Sequence, residues 1–134
     1  MHRLFVQASE ITHDVIGAAI EVHRDKGPGL LESIYEWCLT KELELRSYTV
    51  RSQDDVVVKY KQHRKQFPLK YDLLINDCLL VEAKAVVKVL PIHKAQLLSY
   101  MKLLDVPIGL LINFNAEKLT DGVTRMLLPG ANLE

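Results

Sequence analysis

The chain is predicted to fold as a single α/β domain over residues 1–134, a mixed β-sheet flanked by helices. Three observations carry that prediction. Two segments near the start repeat apolar residues at helical spacing, several short apolar runs follow them, and one further helical segment separates the later runs. At 134 residues, with 49% hydrophobic and 25% charged side chains, the chain can bury one sizeable core, and disorder is excluded.

The first helix is marked by Ile11, Val15, Ala18, Ala19 and Val22, spaced i, i+4, i+7, i+8 and i+11. Gly27-Pro28-Gly29 ends it near Lys26. A second helix follows, with Leu31, Ile34, Tyr35, Cys38 and Leu45 expected on its inner side and Arg46 closing it. From Tyr48 the pattern becomes extended. Val56-Val57-Val58 and Phe67 to Ile75 are expected strands joined by the polar turn Lys61 to Arg64. Asn76-Asp77 marks the next turn, and Leu79 to Ala85 is a mostly apolar, central strand. Pro91 opens a third helix that runs to about Leu104. Val106 to Phe114 is a buried strand, and Arg125 to Leu128 a short edge strand. The order is α-α-β-β-β-α-β with a further edge strand.

Composition narrows the function classes. Lys and Arg total 17 against 17 for Asp and Glu, so the sum shows no basic surplus of the kind that marks a dedicated nucleic-acid binder. The first residues meet charge too soon for a secretory leader, and no run reaches the ~18 apolar residues of a membrane span. Cys38 and Cys78 stand alone amid apolar neighbours, without zinc spacing. Two buried free thiols in a reducing, cytoplasmic setting are expected, with a disulfide as the minority alternative.

The strand from Leu79 to Ala85 carries the oddity. Glu82 and Lys84 interrupt its apolar run and, two residues apart, share a face. A Glu–Lys ion pair at the strand's end accounts for those two alone. Asp72 changes the balance. If the turn holds three residues, Asn76 to Cys78, then Asp72 lies opposite Glu82 and Leu74 opposite Leu80; a two-residue turn would send Glu82 to the other face. Two opposed acids repel each other, and a divalent cation removes that repulsion, so the three-residue or bulged turn is expected. On the third helix, His93, Gln96 and Tyr100 share one stripe suited to hydrogen bonding with phosphate or metal-bound water. Glu32 follows the Gly-Pro-Gly break, where a carboxylate complements the helix N-terminus without any further role.

Taken together, these residues resemble a known family. Gly29-x-x-Glu32-x-x-Tyr35 is similar to the signature of the GxxExxY proteins. Ile20 to Arg24, Gly27-Pro28-Gly29, Asp72-Leu73-Leu74, Glu82-Ala83-Lys84-Ala85, His93-x-Ala95-Gln96-Leu97-Leu98-x-Tyr100 and Gly109 to Phe114 match in order, over a core of about 12–114. That family is grouped with the PD-(D/E)xK nucleases, which implies a restriction-endonuclease-like core. The resemblance implies that Glu32 is the first-helix acid, Asp72 the motif Asp, and Glu82 with Lys84 the ExK pair. Gln96 and Tyr100 resemble the QxxxY motif of some members. Lys70-Tyr71 stands before Asp72 where the motif has Pro, a departure that leaves the acid intact.

The implied activity is Mg²⁺- or Mn²⁺-dependent hydrolysis of nucleic acid, DNA in preference to RNA. Asp72 and Glu82 would hold the metal, with the Ala83 carbonyl as a further candidate and Glu32 reaching it directly or through water. Lys84 would orient the nucleophile, and Gln96 and Tyr100 would position phosphate, with His93 a lesser candidate. Between Val56 and Tyr71 the chain carries Lys59, Lys61, Arg64, Lys65, Lys70 and His63 and no acid. Such a segment suits backbone-phosphate binding, and equally suits a solvated hairpin whose lysines discourage edge pairing. The alternative function is a non-cleaving nuclease-fold module that binds nucleic acid or a partner protein. So small a domain leaves specificity to a homodimer or larger assembly.

Overall fold

The computed structural model describes residues 1–134. Helices α1 (Phe5–Lys26) and α2 (Glu32–Leu45) precede strands β1 (Val50–Tyr60), β2 (His63–Ile75) and β3 (Leu79–Lys84). Helix α3 (Pro91–Leu104), strand β4 (Ile108–Asn113), a 3₁₀ turn at Leu119–Gly122 and strand β5 (Val123–Leu127) complete the chain. The five strands are ordered β1-β2-β3-β4-β5. Every neighbouring pair is antiparallel except β3 and β4, which run parallel because α3 crosses between them.

Strands β3 and β4 are buried on both faces, which is why both read as nearly unbroken apolar runs. On one face, Val15, Ala18 and Ala19 of α1 and Tyr35, Leu39 and Leu43 of α2 pack on Leu73, Leu79, Val81, Leu110 and Ile112. On the other, Leu97 and Met101 of α3 cover Leu74, Leu80 and Leu111. That cover is close: a Cβ on Gly109 would meet Met101 Sδ at 2.6 Å, so β4 carries no side chain there.

The inner side of α2 differs from the sequence expectation. Leu31 and Leu45 are 70% and 80% exposed, and the buried stripe is Tyr35, Leu39 and Leu43. Tyr35 sets the rotation of the helix. Its ring stacks on Phe114 with centroids 4.5 Å apart, which turns the positions i, i+4 and i+8 inward. Arg46 ends α2 as expected and ties it to α1 through Asp14 at 2.7 Å.

The β1–β2 hairpin is longer than its apolar content predicts, turning at Lys61 and Gln62. Backbone pairing continues to the tip whatever the side chains, and every residue from Val57 to Pro68 is exposed. Both cysteines are free; Cys78 is buried and Cys38 half-buried. Burial, then the nearby Asp77 charge, pushes the Cys78 thiol up to about 11. No helix is long and apolar enough to cross a membrane.

Candidate active site

The turn between β2 and β3 holds three residues, with Asn76 and Asp77 at positive φ, and Leu74 faces Leu80 as expected. The regular ladder stops at Leu73↔Val81. Beyond it a bulge takes over. Arg51 pairs with Leu74 and Gln53 with Lys70, so Ser52 alone stands opposite Tyr71, Asp72 and Leu73. The bulge frees Asp72 from β1 and directs its polar groups towards β3. Asp72 Oδ2 accepts the Ala83 N–H at 2.7 Å, and the Asp72 N–H donates to Glu82 Oε1 at 3.3 Å.

Each carboxylate thus spends one oxygen on a backbone N–H and keeps the other free of such bonds. The Asp72 charge acts directly on Glu82 across the short link between them. Glu82 is 7% exposed. Burial, then the Asp72 charge, raises its pKa above the ordinary carboxylate range. Burial raises Asp72 likewise, against the Ala83 N–H and the Lys84 ammonium, which both favour its ionised form. Lys84 sits half-buried at the end of β3.

An open cavity of about 530 Å³ joins Asp72, Glu82 and Lys84 to Gln96 and Tyr100 of α3, with Lys70, Tyr71, Ser52, Gln53 and Glu36 completing its lining. Gln96 Nε2 donates to Tyr100 Oη at 3.2 Å, as the i, i+4 spacing allows. His93 is not brought in. Its Nδ1 accepts the Leu90 N–H at 3.0 Å, so its ring serves the start of α3.

Glu32 approaches from α2 and accepts the Ala85 N–H through Oε2 at 3.1 Å, just past Lys84. The Gly29-x-x-Glu32-x-x-Tyr35 spacing has a mechanical reading. Gly27 and Gly29 take positive φ of 67° and 98°, which turns the chain sharply between α1 and α2. Tyr35 Oη then donates to Gly27 O at 2.5 Å and accepts the Leu30 N–H at 3.1 Å. Gly29 N donates to Asn115 Oδ1 at 3.0 Å. Pinned at both ends, the turn delivers the first residue of α2 to the end of β3.

Glu36 is the residue that sequence reasoning missed. One helical turn after Glu32, it reaches the same cavity. Burial, then the charges of Asp72 and Glu32, pushes its carboxyl up to about 7. The i, i+4 spacing from Glu32 was the available signal, masked by its resemblance to a solvated helix face.

The five basic residues divide in two. Lys70 lines the cavity. Lys59, Lys61, Arg64 and Lys65 lie on the projecting hairpin, exposed and in no ion pair.

The donor set bears on what the site could hold. No three His, Cys, Asp or Glu side chains are grouped to hold a metal ion. Two adjacent carboxylates do fit Mg²⁺, which keeps several waters and needs only one or two acids from the protein. Asp72 and Glu82 are those two, and Glu32 stands apart on its backbone bond.

Comparison with known proteins gives one match. The family model of the PD-(D/E)XK nuclease superfamily covers residues 9–126. No curated protein and no solved structure matches the chain.

Proposed function

Because the chain belongs to the PD-(D/E)XK nuclease superfamily, we propose that it hydrolyses phosphodiester bonds of nucleic acid with a divalent metal, and that it sits in the GxxExxY group of that superfamily. The observation that carries this is the gathering of Asp72, Glu82, Lys84, Gln96 and Tyr100 on one open cavity. A bound Mg²⁺ or Mn²⁺ supplies a water of lowered pKa and neutralises charge on the scissile phosphate.

The chain's own residues do the rest. Asp72 and Glu82 would hold the metal, each having one carboxylate oxygen that makes no backbone bond. Glu32 orders the end of β3 through Ala85 N and adds negative potential through water. Lys84, on the same cavity as the two acids, supplies a fixed cation to orient the nucleophile and offset the developing phosphate charge. Gln96 and Tyr100, coupled to each other, orient the phosphate oxygens. DNA is the favoured substrate because a two-stranded basic ribbon fits the wide major groove of B-DNA, whereas the major groove of A-form RNA is too narrow. A homodimer or larger assembly would supply further specificity to a domain of this size.

The test is a cleavage screen over single-stranded, double-stranded and branched DNA and RNA with Mg²⁺ or Mn²⁺. Lys84→Ala is the control, expected to lose about 100-fold or more in rate. The proposal fails if no nucleic acid is cut and Asp72→Ala leaves metal binding unchanged. Nucleic-acid binding without cleavage would turn the assignment to a non-cleaving binding module.

A further inference from the structure

The catalytic cavity does not end at Asp72. A second groove of about 320 Å³, between α2 and β1, shares Glu36, Ser52 and Asp72 with it and runs on past Ser33, Thr40 and Arg51 to Trp37 and Lys41. Its α2 wall from Ser33 to Lys41 extends for roughly 12 Å, longer than the ~3.4 Å rise of one nucleotide in a strand.

Trp37 is the only tryptophan in the chain and is 63% exposed. Burial does not explain so large an apolar ring on a solvated helix face. The Lys41 Nζ lies 5.7 Å from the ring centroid. Lys41 is otherwise held only by Glu44 at 3.3 Å, an exposed pair that a phosphate can displace at little cost. Arg51, on the facing strand, adds a second cation, shared with Asp54 and Asp77. The groove on the other side of Trp37 sets Glu21, Asp25 and Glu42 against Lys26 and Lys41, so its lining is net negative and suits a polyanion less.

Resting on the nuclease reading, we propose that Trp37 is the stacking platform for an unpaired base of the substrate strand as it leaves the cleavage site, with Lys41 and Arg51 holding the adjoining phosphates. Continuity with the catalytic cavity, an exposed aromatic face and flanking cations are the parts such a subsite needs. A paired base inside a duplex cannot present its face to Trp37, so the subsite selects a single-stranded, frayed or branched region next to the cut.

Trp37 also reports on itself. Lys84→Ala protein in Mg²⁺ is titrated with an oligothymidylate of about ten nucleotides, an abasic strand of equal length and a blunt duplex, following tryptophan fluorescence and the anisotropy of the labelled strand. Quenching by the oligothymidylate and not by the other two is expected. Trp37→Leu should weaken oligothymidylate binding about 5- to 150-fold, leave the abasic strand unaffected, and be largely rescued by Trp37→Phe. Equal quenching by the abasic strand, or unchanged affinity in Trp37→Leu, overturns the subsite while leaving the nuclease reading intact. Failure of every strand to bind by anisotropy overturns both. Self-association lost in Trp37→Leu, with no response to DNA, would make this face a protein contact and also overturn the subsite.

Discussion

Replacing Glu82 by Gln in the metal-free protein should raise its stability at pH 8, although the residue is nearly buried in the centre of the molecule. Asp72 and Glu82 lie just beyond the last ladder pair, Leu73↔Val81, joined by the Asp72 N–H to Glu82 Oε1 at 3.3 Å, and side chains opposed across neighbouring strands have Cβ atoms about 5 Å apart. Two full charges at that separation repel by about 3 kcal/mol at an effective dielectric constant of ~20. Gln keeps the oxygen that accepts the Asp72 N–H and offers an amide to the remaining carboxylate. The variant should therefore gain about 1–3 kcal/mol, or several degrees in Tm. The sign of the pH dependence follows from the raised pKa of both acids. A carboxyl whose folded pKa exceeds its unfolded value stabilises most below the unfolded value, and that contribution is lost as pH rises through the folded one. Wild-type protein without metal should weaken as pH climbs from about 4 past neutrality, and Glu82→Gln should flatten that slope. Saturating Mn²⁺ should restore the wild type, by about 2.7 kcal/mol at 100 times its Kd, and do little for the variant. Thermal and urea unfolding at pH 5 and pH 8, with and without Mn²⁺, read all of this. A variant less stable than wild type at pH 8 without metal, or equally stabilised by Mn²⁺, would refute the paired-acid reasoning.

Three further outcomes follow from the same geometry. Tyr35→Phe removes the hydroxyl that bridges Gly27 O and the Leu30 N–H, and should cost about 1–3 kcal/mol by urea denaturation while loosening the turn before Glu32 in hydrogen exchange; an unchanged turn would sink the pinning role. Glu36→Gln removes a carboxyl pushed up to about 7, so the stability lost between pH 5 and pH 8 should be smaller than in wild type, and an identical loss would place Glu36 outside the coupled group. Ala at Lys59, Lys61, Arg64 and Lys65 together should reduce the slope of log K against log salt for duplex DNA by up to about 3 to 4, at roughly 0.9 per phosphate; an unchanged slope would make the hairpin a solvated arm.

The sheet and its helices were legible because they express simple periods. Gly27-Pro28-Gly29, Asn76-Asp77 and Pro91 marked their boundaries. The acid pair was legible for a sharper reason: side chains alternate strictly along a strand, so one turn length decided whether Asp72 and Glu82 could meet. Where a helix has no such constraint, its rotation was misread. Leu31 and Leu45 look like inner residues of α2, yet the Tyr35–Phe114 stack, made across 79 positions of sequence, turns them out.

By itself, then, the sequence determined the order of elements, the shared face of Glu82 and Lys84 and, through one short turn, the chance for Asp72 to meet them, while the family resemblance pointed to Gln96 and Tyr100. Only the tertiary structure decided the bulge at Ser52 that directs Asp72 towards β3, the turn pinned by Tyr35, the arrival of Glu36, the capping role that takes His93 out of the cavity, and the groove that continues to Trp37. Each of these arises where residues distant in the chain meet, and no period along a single segment encodes such a meeting.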